Sequence, residues 1–116
     1  GWLFARDAFS GIMLWQKKIG VSLTLSRAYI AVDGMVITPL NFGEPLVALD
    51  AATGKELVRY SEAGPVSNAG RTKSATTPVY SNNKLYISNG SKVFCLNAKT
   101  GEKNWEYKHD KNHFYI

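Results

Sequence analysis

The sequence has a single cysteine, Cys95, so it can form no internal disulfide and contains no vicinal cysteine pair. No apolar run approaches the ~18–20 residues that a membrane-spanning helix needs. Acidic side chains are also few, 9 against 14 basic ones, which leaves a net charge of +5. The basic residues are spread along the chain and form no basic helix or nucleic-acid motif. We therefore predict a solvated surface, with no nucleic-acid partner and no membrane span.

An internal repeat runs through the 116 residues. Three segments align without gaps, and each carries Asp or Asn, then Ala, then Ser or Thr followed by Gly: 7–11, 50–54 and 97–101. Asp50 follows Asp7 by 43 residues, and Asn97 follows Asp50 by 47. Periods of ~40–50 residues are typical of four-stranded propeller blades and are too long for leucine-rich repeats. The flanking segments are rich in β-formers, so we predict an all-β chain.

The sequence of each repeat predicts a β-hairpin. The apolar segment 46–49 ends at Asp50, whose side chain can accept hydrogen bonds from backbone N–H groups just ahead and so start a turn. Gly54 then supplies the positive φ that closes the hairpin. Asn97 occupies the slot of Asp50 in the third copy, which indicates turn formation and not acid–base chemistry.

Turn signals between the repeats delimit the remaining strands. Asp33-Gly34 is a strong hairpin signal, and the segments 81–83 and 89–91 mark two further turns. The predicted organisation is the end of a first blade at 1–19, a second blade at 20–66 and a third blade at 67–108. Residues 109–116 are predicted to start a following blade or to form a tail.

The pattern Ala-x-Asp-x-x-Thr-Gly-x-x-x-Trp resembles the tryptophan-docking motif of pyrroloquinoline-quinone (PQQ) repeat β-propellers, and the resemblance covers nearly the whole chain. The residues that carry it are Asp7, Gly11, Trp15, Asp50, Thr53, Gly54, Asn97, Thr100, Gly101 and Trp105. The resemblance implies that the tryptophan of one blade stacks on the turn of its neighbour. The middle copy departs from the pattern, because Val58 stands where tryptophan is expected, and Tyr60 is the candidate replacement.

The fold class that follows is about two and a half four-stranded antiparallel blades of a β-propeller, seven- or eight-bladed when complete. Two and a half blades cannot close a ring, and open blades expose apolar faces and strand edges. The remaining blades must come from a longer polypeptide, which we favour, or from self-assembly. The sequence also leaves open whether the completed ring binds other proteins.

The family that the chain resembles includes quinoprotein dehydrogenases, which hold PQQ and Ca²⁺ on the ring axis. Their vicinal cysteines and carboxylate ligands have no counterpart here, so no cofactor is evident, and no catalytic or metal-binding residue is assigned. Arg71 and Lys73 are candidates for a channel rim that contacts an anionic ligand, against the plainer interpretation of an exposed loop. His109 and His113 have metal-compatible spacing, but the polar segment around them favours a solvated loop.

Cys95 occupies a slot that is alanine in the other copies, which indicates a small core residue. A buried docking role for Trp105 predicts a loss of ~3–5 kcal/mol on replacement by alanine.

The leading functional interpretation is a non-catalytic binding or scaffold module. The alternatives are a fragment of a PQQ-dependent dehydrogenase whose catalytic blades lie elsewhere, or a propeller fused to an unrelated enzyme domain. The resemblance favours the periplasm or the cell exterior.

Overall fold

A computed structural model describes residues 1–20, 29–41, 43–65 and 77–108. Within them the chain forms three antiparallel sheets of two, four and four strands. The first blade holds β1 (Trp2–Arg6) and β2 (Met13–Lys18). The second holds β3 (Ile30–Val32), β4 (Met35–Thr38), β5 (Val47–Asp50) and β6 (Glu56–Arg59). The third holds β7 (Thr77–Ser81), β8 (Lys84–Asn89), β9 (Lys92–Asn97) and β10 (Lys103–Lys108).

Each four-stranded sheet is a simple meander in which every strand pairs with its neighbour in sequence. The β3–β4 hairpin turns at Asp33 and Gly34, both with positive φ (49° and 74°). The β7–β8 hairpin turns at Asn82 and Asn83, again with positive φ (51° and 61°). Two consecutive left-handed residues match the right-handed twist of the flanking strands, and Asn, Asp and Gly are the residues that tolerate them. The turns predicted at these positions are therefore present.

The outermost hairpin of every blade contains the same irregularity. The pairing register shifts beside Ala5 in the first blade, beside Ala48 in the second and between Lys103 and Trp105 in the third. Next to each bulge, one side chain of the outer strand stands directly opposite a small residue: Trp15 opposite Ala5, Val58 opposite Ala48 and Trp105 opposite Cys95. Directly opposite residues share a sheet face, so each small residue leaves room beside a larger side chain.

Two apolar clusters lie between the blades. The smaller one joins the first and second blades through Trp15, Val47 and Leu49. The larger one joins the second and third blades with eleven buried residues: Met35, Ile37, Leu46, Ala48, Tyr60, Ala63, Leu85, Ile87, Phe94, Leu96 and Ala98. Alternate residues of the central strands face the two clusters, as period-two geometry requires. The core is therefore a set of inter-blade layers.

The predicted all-β class and blade architecture are confirmed. A short 3₁₀ helix, Ser61–Ala63, follows β6 and was not predicted. Its Ala63 is buried against the larger cluster. Across the described ranges, no helix is long and apolar enough to cross a membrane.

Candidate functional site

The repeated turns form the site that the sequence singles out. In the second blade, the Gly54 N–H donates to the Asp50 carbonyl at 2.7 Å, and the Thr53 hydroxyl donates to the Asp50 carboxylate at 2.8 Å. In the third blade, the side-chain oxygen of Asn97 accepts from the N–H groups of Lys99 and Thr100 at 2.9 and 3.0 Å. Both side chains accept hydrogen bonds from their own turn, which agrees with a structural use of this position.

The first-blade turn uses Asp7 in the same way. One of its carboxylate oxygens accepts from the N–H groups of Phe9 and Ser10 at 2.9 and 2.8 Å, and from the Ser10 hydroxyl at 3.1 Å. These hydrogen bonds, led by that from the Ser10 backbone, lower the pKa of Asp7 because they stabilise the carboxylate form. Asp7 is thus held ionised as a turn acceptor.

Trp15 lies on the turn of the second blade. Its indole Nε1 donates to the Ala51 carbonyl at 2.7 Å, and the ring is only 9% exposed. A Cβ built at Gly54 would lie 2.7 Å from Cδ2 of Trp15, closer than packed atoms allow. Gly54, at φ +76°, thus serves both the left-handed turn and the close approach of the ring. This turn is the docking site for the tryptophan of the preceding blade, and we call such a docking site a seat.

Val58 and Tyr60 occupy the corresponding seat on the third blade. Cγ1 of Val58 would lie 3.0 Å from a Cβ at Gly101, and the Tyr60 hydroxyl donates to the Ala98 carbonyl at 2.5 Å. Ala98 occupies the same place in its repeat as Ala51, so tyrosine and indole donate to equivalent carbonyls. Tyr60 is fully buried, and this burial raises its pKa to about 12, with a smaller contribution from Tyr80.

Further hydrogen bonds join the second and third blades. The Tyr80 hydroxyl on β7 donates to the Asp33 carboxylate in the β3–β4 turn. The Lys103 N–H donates to the Glu62 carboxylate at 2.9 Å, and the side-chain amide of Asn89 donates to the Ala63 carbonyl at 2.8 Å. None of these was predicted, because each joins residues more than twenty positions apart and leaves no local pattern in the sequence.

Trp105 differs from the buried docking residue that the sequence predicts. Its side chain is 46% exposed and tilts against Tyr86, with ring centroids 6.1 Å apart. Its sheet face points away from the second blade, and the described residues include no turn of a following blade for it to contact. Cys95, which lies between these two aromatic side chains in register, is fully buried and free, as expected of a small core residue.

The seat on the first blade is open. No atom of the described residues lies within 4 Å of a Cβ built at Gly11, although its φ of +72° matches that of the occupied glycines. The described part of the chain therefore has two occupied seats, one open seat at its first blade, and one exposed tryptophan at its third.

The described residues hold no group of three or more His, Cys, Asp or Glu that could bind a metal. None of the described residues is assigned to Ca²⁺ or to PQQ. Arg71, Lys73, His109 and His113 lie outside the described residues.

Comparison with known proteins identifies the family of the chain. The family model described as outer membrane protein assembly factor BamB, a PQQ-repeat family, matches residues 1–113. The chain belongs to this PQQ-repeat β-propeller family. The curated proteins gave no match.

Solved structures of PQQ-repeat propellers are similar to the chain in fold. A europium-containing methanol dehydrogenase aligns with a TM-score of 0.57 and 18% identity, over 92% of this chain and 21% of its own. BamB from Moraxella catarrhalis aligns with a TM-score of 0.53 and 20% identity, over 93% of this chain and 30% of its own. The chain thus spans less than a third of either protein.

Proposed function

We propose that these residues form a segment of a PQQ-repeat propeller that acts as a non-catalytic binding or scaffold module. The observation that carries the proposal is the use of the repeat. Trp15, Gly54 and Ala51 in one copy, and Tyr60 and Ala98 in the next, join blade to blade. The repeated turn therefore holds neighbouring blades together, which leaves the loops and rims for recognition.

The open seat at Gly11 and the exposed Trp105 support further blades on both sides. Either the same polypeptide or further copies of the chain could supply them, and we favour the same polypeptide because the chain spans only 21% and 30% of its structural relatives. The mass of the denatured intact protein tests this preference. A mass well above 12.8 kDa supports a longer chain, whereas 12.8 kDa would require self-assembly.

The family description, outer membrane protein assembly factor, supports a scaffold that contacts other proteins. It also supports a location in the periplasm or outside the cell. The dehydrogenase alternative keeps support from the methanol dehydrogenase fold, with its catalytic blades outside this stretch. A propeller fused to an unrelated enzyme domain is the third possibility. A vicinal cysteine pair and an axial aspartate elsewhere in the polypeptide would favour the dehydrogenase.

Thermal unfolding of the intact protein with and without PQQ and Ca²⁺ separates the first two functions. A ligand at a hundred times its Kd stabilises the folded state by about 2.7 kcal/mol, which raises Tm by several degrees. We expect no shift. A reproducible rise that requires both PQQ and Ca²⁺ would overturn the scaffold proposal in favour of the dehydrogenase.

A further inference from the structure

The turn between β8 and β9 contains the only Asn-Gly pair in the sequence, Asn89-Gly90. Asparagine before glycine is the pair most prone to deamidation, because glycine has no Cβ to hinder the approach of its nitrogen to the asparagine side chain. Gly90 is exposed, with a φ of +64°, and no atom of the described residues lies within 4 Å of a Cβ built there. The glycine side of the pair is therefore open to solvent.

The side chain of Asn89 also joins the second and third blades. Its Nδ2 donates to the Ala63 carbonyl at 2.8 Å and to the Pro65 carbonyl at 3.2 Å. A Cβ built at Gly64, between these two residues, would lie 3.1 Å from the same Nδ2. The three residues thus close around the amide, and one side-chain nitrogen supplies two hydrogen bonds of this junction.

Deamidation of Asn89 removes that nitrogen. The Gly90 nitrogen attacks Cγ of Asn89, so that a bond forms between them and the Cγ–Nδ2 bond breaks. Nδ2 leaves as ammonia, and the proton of the Gly90 N–H passes through solvent to it. Water then opens the succinimide ring to aspartate or isoaspartate. The sum is replacement of ammonia by water, with no oxidation or reduction.

The product does not fit the docked junction. An ionised carboxylate accepts hydrogen bonds but donates none, and at position 89 it faces two carbonyl oxygens that are acceptors too. Acceptors left unpaired against one another in a partly buried contact destabilise it. Isoaspartate also lengthens the backbone beside the two-residue turn that Asn89 and Lys92 close.

The docked junction protects Asn89 from this reaction. Asn89 is the last residue of β8 and pairs with Lys92, so its backbone is extended. An extended backbone turns the Gly90 nitrogen away from Cγ, and the Ala63 and Pro65 carbonyls hold Nδ2 in place. Attack therefore requires the side chain to be released and the end of the strand to open.

We propose that Asn89 is a deamidation site that reacts when the junction between the second and third blades opens, and that its product prevents the junction from closing again. This modification is independent of whether the complete propeller is a scaffold or an enzyme.

Mass spectrometry of tryptic peptides tests the first half of the proposal. The peptide 85–92 contains Asn89 as its only amide side chain, so its deamidation reports this site alone. The intact protein is incubated in mildly alkaline buffer, and protein unfolded in urea supplies the unprotected rate. We expect the folded protein to react at least ~tenfold more slowly than the unfolded one, because only the open fraction reacts.

Two variants of this junction then change the open fraction. Tyr60→Phe removes a buried donor to Ala98 and should accelerate deamidation of the folded protein by roughly five- to thirtyfold. Tyr80→Phe is the matched control, with an expected acceleration of about twofold, because its partner Asp33 is exposed. Equal rates in the parent and Tyr60→Phe would overturn the proposal, as would equal rates in folded and unfolded protein or no reaction in Tyr60→Phe.

Urea unfolding of Asn89→Asp and Asn89→Ala tests the second half. Both variants lose the donor, but only aspartate places a carboxylate against the two carbonyls. At neutral pH we expect Asn89→Asp to have the lower urea midpoint, and the difference should shrink in acid, where a protonated carboxyl can donate. An Asn89→Asp protein as stable as the parent would show that the product still fits. If Asn89→Asp does not fold, the deamidation rates decide the proposal.

Discussion

The two blade junctions pack against equivalent turns with different side chains. Between the first and second blades, the indole of Trp15 both fills the space over Gly54 and donates to Ala51. Between the second and third blades, the two tasks are divided. Val58 packs on Gly101, and Tyr60 donates to Ala98 from two residues further along. The seat thus requires a filled surface and a donor, and one tryptophan is not the only way to supply both.

The junctions also differ in how much surrounds the seat. The tryptophan junction includes three buried apolar residues, whereas the tyrosine junction includes eleven and four more inter-blade hydrogen bonds. Buried apolar area is the main favourable term in folding. We therefore expect the second and third blades to unfold as one unit, and the first blade to detach at lower free energy.

The largest expected effect is at Trp15. In the 116-residue chain, Trp15→Ala removes a 91%-buried indole and its hydrogen bond, and should destabilise the first junction by ~3–5 kcal/mol. Trp105→Ala should cost about 1 kcal/mol, because that ring is 46% exposed. Urea unfolding, with hydrogen exchange of β1 and β2, measures both variants. Equal losses of stability in the two variants would show that the exposure of a tryptophan does not decide how much it stabilises the chain.

The second prediction compares two glycines of equal backbone conformation. Gly11→Ala and Gly54→Ala both place a side chain at positive φ, at ~1–2 kcal/mol each. Only Gly54 lies under an indole, so its variant should lose a further ~1–3 kcal/mol through overpacking. Chemical denaturation of the pair measures the difference. Identical free energies of unfolding would mean that the indole moves aside freely.

Tyr60→Phe comes third. It keeps the ring but removes the donor to the Ala98 carbonyl, which leaves a buried acceptor unpaired at ~1–2 kcal/mol. Tyr80→Phe is the control, because its partner Asp33 is exposed and regains water, so the loss should stay near ~0.5 kcal/mol. Unfolding curves in urea rank the two variants, and the reverse order would contradict the donor role of Tyr60.

The smallest effect, absent at neutral pH, is an alkaline one. The pKa of Tyr60 is raised from 10.0 to about 12 by burial, so between these values the unfolded chain loses its proton before the folded one. Stability from this group is complete below pH 10 and falls as the pH rises toward 12. The decline should be shallower in Tyr60→Phe. Equal slopes for the two proteins would indicate that other groups control alkaline unfolding.

Local features were accessible from the sequence alone. The Asp7, Asp50 and Asn97 turns, the Asp33-Gly34 hairpin and the small slot at Cys95 were all predicted, because each depends on residues close together in the chain. The replacement of tryptophan by Tyr60 was a hypothesis, and the structure supplies its contact with Ala98. The Tyr80–Asp33 and Lys103–Glu62 contacts were not predicted, because they join positions 47 and 41 residues apart.

The sequence by itself determined the repeat, its period and the acceptor-and-glycine chemistry of every turn. These depend on hydrogen bonds that span three or four residues and on the positive φ of glycine, so they are written within each copy. Only the tertiary structure decided which seats are occupied, that Val58 and Tyr60 share one docking task, and that Trp105 is exposed while Trp15 is buried. Docking joins residues 36 and 38 positions apart, and whether a side chain is buried depends on the blade packed against it.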